Sequence, residues 1–328
     1  MRLASEFIRL PLRFDVERLR QEVLAFDESE WLPHVQGYAG NTAIPLISLH
    51  GEMNDDFNGP MQLTDKLERC PYIKQVLASF DEVFGRSRLM GLGAGCSVPE
   101  HRDVNYHWYS RVRIHIPVLT NPKVLFYCGD KHVHMGAGET WIFDSWKRHH
   151  VDNLSDENRV HLVIDTAGSS KFWRMVAMSE WRSADGQQKP ADVEDRFVAY
   201  EEGREVSVLT EQYNAPLVMQ PGEVDALVAD IVIDMRAHPG NRMPAHANFE
   251  RTMLEFRSDW RRLWSLYGQS PEGWPHYQAL IQSLRIPQLQ IPLASNGGSA
   301  THTFQARVLA AALNTPLAEQ YRAGPASR

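Results

Sequence analysis

The chain has 328 residues, 43% of them hydrophobic and 23% charged, with a formal net charge of -7 at pH 7. That length exceeds the roughly 100–200 residues of one domain, so one large domain with an accessory domain is expected. The charge balance argues against a nucleic-acid partner, and no stretch approaches the ~18 uninterrupted apolar residues of a membrane helix. Cys70, Cys96 and Cys128 lie far apart with no C-x-x-C spacing, which suggests neither a disulfide framework nor a thiolate zinc site. The opening run "MRLASEFIRLPLRFDVERLRQEV" breaks every apolar stretch with charge or proline, so a cytoplasmic location is expected.

Helical and extended signals mix over residues 1–85, a segment expected to pack on the core that follows. "DVERLRQEVLAFD" spaces Val16, Leu19, Val23 and Leu24 as a helix does, with an aspartate at its start. "LTDKLERCPYIKQVLASFDEVFG" predicts a helix interrupted near Pro71 and ended by Gly85. Over 86–180, short segments rich in branched and aromatic residues follow one another: "SRLMGLG", "RVRIHIPVL", "VLFYCG", "ETWIFD" and "RVHLVID". Strands at this spacing, without crossover helices, predict an antiparallel sandwich or barrel. After the polar stretch "SADGQQKPADVEDR" the pattern turns helical, and 205–328 is expected to be a helical domain. Its helices are predicted at "PGEVDALVADIVIDMRAHPG", "HANFERTMLEFRSDWRRLWSLYG", "EGWPHYQALIQSL" and "ATHTFQARVLAAALN", with the last dozen residues a disordered tail.

Two strands carry a chemical pattern. Arg111, Arg113, His115 and Pro117 share one face of the first, and Val112, Ile114, Ile116 and Val118 the other. Arg159, His161, Val163 and Asp165 oppose Val160, Leu162 and Ile164 in the second. A solvent face is the ordinary reading of one such strand. Two of them flanking further histidines favour a polar barrel interior, with the apolar faces packed against helices and a cationic pocket suited to a small dicarboxylate.

His101 and Asp103, two apart in "PEHRDVNYHW", point the same way on an extended segment. "KRHHVDN" offers His149 or His150 as a third ligand. Two imidazoles and a carboxylate form the facial triad of non-haem Fe(II) oxygenases, which leaves three positions open. H-x-D alone occurs by chance in many chains. The order matters more: H-x-D, then strands, then a histidine, then an arginine.

The runs "SRLMGLGAGCSVPEHRDVNYHWYSRVRIHIPVLTNP" and "GAGETWIFDSWKRHHVDNLSDENRVHLVID" resemble the aspartyl/asparaginyl beta-hydroxylase family of Fe(II)/2-oxoglutarate-dependent oxygenases, which includes bacterial free-amino-acid hydroxylases. The resemblance covers about 86–166, with a weaker echo at 31–51. It implies an α+β fold with a double-stranded beta-helix core, of jelly-roll or cupin-like form, flanked by N-terminal helices and a C-terminal helical domain. It places the metal ligands on His101, Asp103 and His149, since Asn153 and Arg159 stand four and ten residues after His149 as the family pattern requires. It also implies that Arg159 pairs with the distal carboxylate of 2-oxoglutarate and that His115 lines the same pocket. Arg113, on the same face, is left between cosubstrate and substrate. The implied activity is a dioxygenase that hydroxylates an unactivated carbon of an amino acid, aminoacyl or peptidyl substrate using O2, with succinate and CO2 as coproducts.

A non-redox, cupin-like metal-binding protein, an isomerase or small-molecule sensor, is the alternative, and a dicarboxylate clamp at Arg159 separates the two. Asp144 and Asn153 are readable as supports for the ligands or as turn formers. Tyr106, His107 and Trp108 stand as substrate wall or as packing on the barrel rim. Trp260, Trp264 and Tyr267 fit a helix core, and His238, His246, His276 and His302 read as surface or packing residues. The C-terminal helices leave open a cap over the barrel mouth, a protein partner or a homo-oligomer.

Overall fold

The computed structural model describes residues 1–34, 37–182, 188–189, 194–241, 244–287, 290–314 and 316. Most of the polar stretch after 182, and the tail expected to be disordered, lie outside the described residues. The chain divides into two compact units, one of Met1–Asp103 with Ser110–Gln212, the other of Val104–Tyr109 with Tyr213–Arg328.

The first unit is built on ten principal strands: β1 (Phe7–Phe14), β2 (Asn41–Leu49), β3 (Val83–Leu92), β4 (Ser97–His101), β5 (Val112–Leu119), β6 (Val124–Cys128), β7 (Lys131–Val133), β8 (Glu139–Phe143), β9 (His149–Asn153) and β10 (Arg159–Thr166). The larger sheet runs β1-β8-β5-β10-β3-β2, with shorter strands at its margins, and the smaller runs β4-β9-β6-β7. These neighbours pair antiparallel. From β4 to β10 the chain passes repeatedly between the two sheets, which is the winding of a double-stranded beta-helix.

Period-two alternation decides which face of the larger sheet is dry. Val112, Ile114, Ile116 and Val118 of β5 and Val160, Leu162 and Ile164 of β10 are buried in one continuous core with Ile8, Leu10, Ile44 and Leu89. Two helices complete that core from outside. They are α1 (Val16–Leu24), through Leu19 and Val23, and α3 (Pro71–Ala78), through Tyr72, Ile73, Val76 and Leu77. The opposite face, carrying Arg113, His115, Arg159 and His161, turns inward toward a smaller cluster of Phe7, Phe126, Phe143 and Val151. The polar barrel interior expected from the strand pattern is thus the one observed.

Two expectations are corrected. The helical signal around Pro71 resolves into α2 (Asp65–Glu68) and α3, ending at Ala78 rather than Gly85. Asp81 turns the chain with φ 57°, and Gly85 lies inside β3. Strand pairing overrides helix periodicity there, because "FGRSRLM" finds partners on both sides in β10 and β2. The core sheet also extends beyond 86–180: β1 pairs with β8, and β2 with β3. The N-terminal segment therefore supplies strands as well as covering helices.

The second unit is helical. It contains most of α4 (Tyr106–Ser110), then α6 (Pro221–Ala237), α7 (Pro244–Tyr267), α8 (Trp274–Ser283) and a final helical run over 300–312 that loosens to π-geometry at Phe304–Leu309. The remaining helix, α5 (Ser170–Met178), belongs to the first unit. Pro221 opens α6 at its first turn, where a missing N–H costs nothing. Phe249 and Phe256 of α7 pack against Phe304, Trp260 packs on Phe256, and the Trp260 Nε1–H donates to the Met219 carbonyl at 2.9 Å. Trp260 is fully buried, whereas Trp264 and Tyr267 are half-buried and Tyr267 stacks on His276. No helix among the described residues is long and apolar enough to cross a membrane.

Candidate metal centre

Strand register brings the ligands together. β4 pairs antiparallel with β9 so that His149 stands directly opposite His101. Asp103 follows two residues later, its backbone N–H donating to the Ser145 carbonyl at 3.0 Å. Asp103 approaches His101 Nε2 at 3.9 Å through Oδ1 and His149 Nε2 at 3.8 Å through Oδ2. One donor atom from each of the three lies within 4.8 Å of the others, and they form the one such metal-capable group found among the described residues. His150 pairs with Tyr127 and stacks on its ring at 4.2 Å, on the face away from His149.

The tautomers suit a metal. His101 Nδ1 sits 2.8 Å from the Pro99 carbonyl, and His149 Nδ1 2.9 Å from that of Lys147. A carbonyl only accepts, so each Nδ1 carries the proton and each Nε2 keeps its lone pair for the centre. His149 Nε2 and Asp103 Oδ2 are buried without a hydrogen-bond partner. Burial brings the His149 pKa down to about 4 against the opposing pull of Asp103, so the ring is neutral at pH 7. Burial alone would raise the Asp103 pKa, yet Arg113, His149 and His101 hold it below its ordinary value. Two imidazoles, one carboxylate and two orphaned buried donor atoms fit a divalent ion. The His101 side chain is 42% exposed against 2% for His149, so solvent reaches the centre from the His101 side.

Beside it stands the basic face. Arg159 is 3% exposed, its Nη1 reaches the Met90 carbonyl at 3.4 Å, and its Nε has no hydrogen-bond partner. Burial lowers its pKa to about 10, and no acid among the described residues pairs with it. An uncompensated buried guanidinium is costly and calls for an anion. His115 and His161 meet Nδ1 to Nδ1 at 3.3 Å, and each leaves a buried Nε2 without a hydrogen bond. Burial, then the nearby arginines, holds both well below the ordinary histidine range. Arg113 lies 3.7 Å from Asp103 Oδ2 and 3.7 Å from Asp165 Oδ1.

Sequence reading placed His161 and Asp165 on this face without giving them a role. It passed over Arg86 and Arg88 altogether, although their spacing of two in "FGRSRLM" is the same strand signal as Arg113 and His115. Asn153 and Asp144 do local work. The Asn153 side-chain amide donates to the carbonyls of Leu92, Gly93 and Glu157, and Asp144 Oδ1 accepts from the Trp146 N–H. Tyr106, His107 and Trp108 belong to the second unit, where the Tyr106 hydroxyl bonds Glu223.

Residues 15–168 match the family model described as Aspartyl/Asparaginyl beta-hydroxylase. A curated relative, the L-proline cis-4-hydroxylase of Rhizobium meliloti (strain 1021), is 26% identical over 176 residues, which are 50% of this chain and 63% of that protein. The chain thus spans less than two thirds of that relative's length. Among solved structures, a 2OG-Fe(II) oxygenase family oxidoreductase from Burkholderia pseudomallei aligns with TM-score 0.36 and 11% identity over 47% of this chain and 78% of that one. A Pseudomonas putida prolyl-4-hydroxylase aligns with TM-score 0.34 and 14% identity over 50% and 92%. The strands β2 to β10 and the metal-capable cluster lie inside the matched span, so the similarity to the aspartyl/asparaginyl beta-hydroxylase family falls on the part of this chain that builds the site.

Proposed function

We propose that the protein is an Fe(II)/2-oxoglutarate-dependent dioxygenase that hydroxylates an unactivated carbon of an amino acid, aminoacyl or peptidyl substrate. One observation supports the reading: a metal-capable triad shares the barrel interior with a buried arginine that no acid among the described residues pairs. A non-redox metal site has no need of that second feature. The L-proline cis-4-hydroxylase relative supports an amino-acid substrate. The three free thiols fit a reducing compartment, and the cytoplasm is the proposed location.

In this reading His101, Asp103 and His149 hold the iron. Bound Fe(II), with 2-oxoglutarate and O2, supplies the oxidising chemistry and yields succinate and CO2 with the hydroxylated product. The chain's own residues prepare that site. Arg113 keeps Asp103 anionic, and the Pro99 and Lys147 carbonyls fix both imidazoles with Nε2 inward. Arg159 presents a planar, two-pronged guanidinium to the distal carboxylate of 2-oxoglutarate, while His115 and His161, held neutral, offer hydrogen bonds without adding charge. The phenylalanines 126 and 143 against His115 exclude water from this end of the pocket.

The test is succinate formation from 2-oxoglutarate, with and without Fe(II), in the wild type and in His149→Ala. Turnover is expected only with iron and an intact triad. Full turnover in His149→Ala sinks the assignment. Iron binding with no response to 2-oxoglutarate favours the sensor or isomerase alternative.

A further inference from the structure

Two buried histidines meet in the barrel interior where the strands break their pairing. Along β5 and β10, Arg113 stands opposite Asp165, His115 opposite Val163 and Pro117 opposite His161. Pro117 has no N–H to give to the ladder, and the register shifts between Val160 and His161, an irregularity of the kind that re-aims a side chain. There His161 reaches diagonally to His115, with the ring planes at 80° and the two Nδ1 atoms 3.3 Å apart.

A contact between two ring nitrogens needs one proton, because two lone pairs repel each other and so do two N–H groups. Burial first, then neighbouring cations, holds both rings well below the ordinary histidine range, so each is neutral and carries a single proton. The two rings are therefore opposite tautomers. One donates through Nδ1 and keeps a lone pair on Nε2, while the other accepts at Nδ1 and carries its proton on Nε2. Both Nε2 atoms are buried without a hydrogen-bond partner, so the pair presents one donor and one acceptor to whatever fills the pocket.

The surroundings decide which ring is which. His115 lies on the metal side of the pair, next on its face to Arg113, which stands 3.7 Å from Asp103 Oδ2. There the Asp165 carboxylate pulls against the cations that act on His115 and favours an N–H on that ring. Arg159 precedes His161 on the same face and leads the charges that act on it, with no anion among them, which favours a lone pair on the outer nitrogen.

We propose that His161 is a positioning residue for His115: the His161 Nδ1–H donates to His115 Nδ1, which puts the His115 proton on Nε2 and offers a donor, rather than a lone pair, to the anion that the pocket binds. The inference rests on the dioxygenase reading above, in which that anion is 2-oxoglutarate, and adds a residue whose part is to set the tautomer of another. A carboxylate only accepts, so the reverse arrangement sets the lone pair of His115 against it. A role in packing alone, by contrast, tolerates an apolar side chain of similar size at 161.

The experiment has two arms, both on the full chain loaded with Zn2+ in place of iron. Long-range 1H–15N correlations of the histidine rings, assigned through His115→Gln and His161→Asn, read each tautomer directly. Nδ1–H is expected on His161 and Nε2–H on His115, with the His115 Nε2–H resonance shifting when 2-oxoglutarate is added. In the second arm, calorimetric titration with 2-oxoglutarate is expected to show binding weakened about tenfold or more in His161→Leu, with the affinity for Zn2+ unchanged. His161→Asn, whose side-chain amide places an N–H near the position of Nδ1, is expected to recover most of that loss. The reverse tautomers, the same tautomer on both rings, unchanged cosubstrate affinity in His161→Leu, or an equal loss in the Leu and Asn variants overturns the proposal. The wild-type tautomers decide it even if His161→Leu fails to fold, which a thermal melt reports. Failure of the parent reading shows separately, as no heat from 2-oxoglutarate in the wild type and no iron-dependent succinate.

Discussion

At the scale of single residues, the site depends on which atoms are left without partners. His149 Nε2, Asp103 Oδ2 and Arg159 Nε are all buried and all lack a hydrogen bond. Each such group costs free energy unless a ligand supplies the missing interaction, so their convergence in one barrel interior has chemical content. Arg159 is the most informative. Lysine there keeps the charge but loses the planar fork, and a point charge on a flexible stem does not reproduce two parallel hydrogen bonds. Arg159→Lys is therefore expected to raise the KM for 2-oxoglutarate by about tenfold or more with a smaller effect on kcat, measured by succinate release against cosubstrate concentration. An unchanged KM removes Arg159 from cosubstrate binding.

At the scale of elements, the two helices that cover the sheet behind the site have identifiable local causes. α1 begins at Asp15, whose side chain accepts the Arg18 N–H at 3.1 Å, in the manner of an N-cap. α3 has no such cap from Cys70. Its first N–H groups are taken by Glu22 from α1, at 2.7 Å to Tyr72 and 2.9 Å to Ile73. One buried carboxylate thus joins the two helices that cover the dry face of the sheet. Glu22→Ala leaves both donors buried, and we expect a loss of about 1–3 kcal/mol in urea unfolding. No change in midpoint or slope argues that water replaces the carboxylate there. Register works in the same way for the metal ligands: the pairing of β4 with β9 selects His149 over its neighbour, and a slip of one residue turns His150 inward instead.

At the scale of the whole molecule, the two units have separate cores. The first is held by the aliphatic layer between its larger sheet and helices α1 and α3. The second depends on aromatic packing, with Trp260 at 5.4 Å from Phe256 and 4.5 Å from Tyr277 between ring centroids. Trp260→Ala opens a cavity among those rings and strands the Met219 carbonyl, at an expected cost of about 3–5 kcal/mol. Hydrogen exchange resolved by segment checks this, with faster exchange expected across α6 and α7. Unaltered protection there shows that the ring cluster is not what stabilises this unit. In the same unit, Arg307 is 2% exposed, donates to the Val104 carbonyl at 3.2 Å and pairs with Asp230 at 2.9 Å, which holds the segment following Asp103 within the C-terminal fold.

The sequence by itself determined the strand alternation, the class of each long helix and the His101–Asp103 pair, because those follow from periods of two and 3.6 and from H-x-D spacing, while between His149 and His150 it was the family resemblance, not spacing, that pointed to His149. Its strand pattern also made a polar barrel interior the better reading. It did not determine that β1 and β2 join the core sheet, since "FIRLPLRF" and "NTAIPLISL" carry proline interruptions that local propensity counts against strands. Nor did it select Arg88 and Asp55, 33 residues apart, as partners. Cross-strand register and burial decided those, and both are properties of the closed barrel: a side chain's partner is set by the strand folded beside it, which no stretch of neighbouring residues encodes.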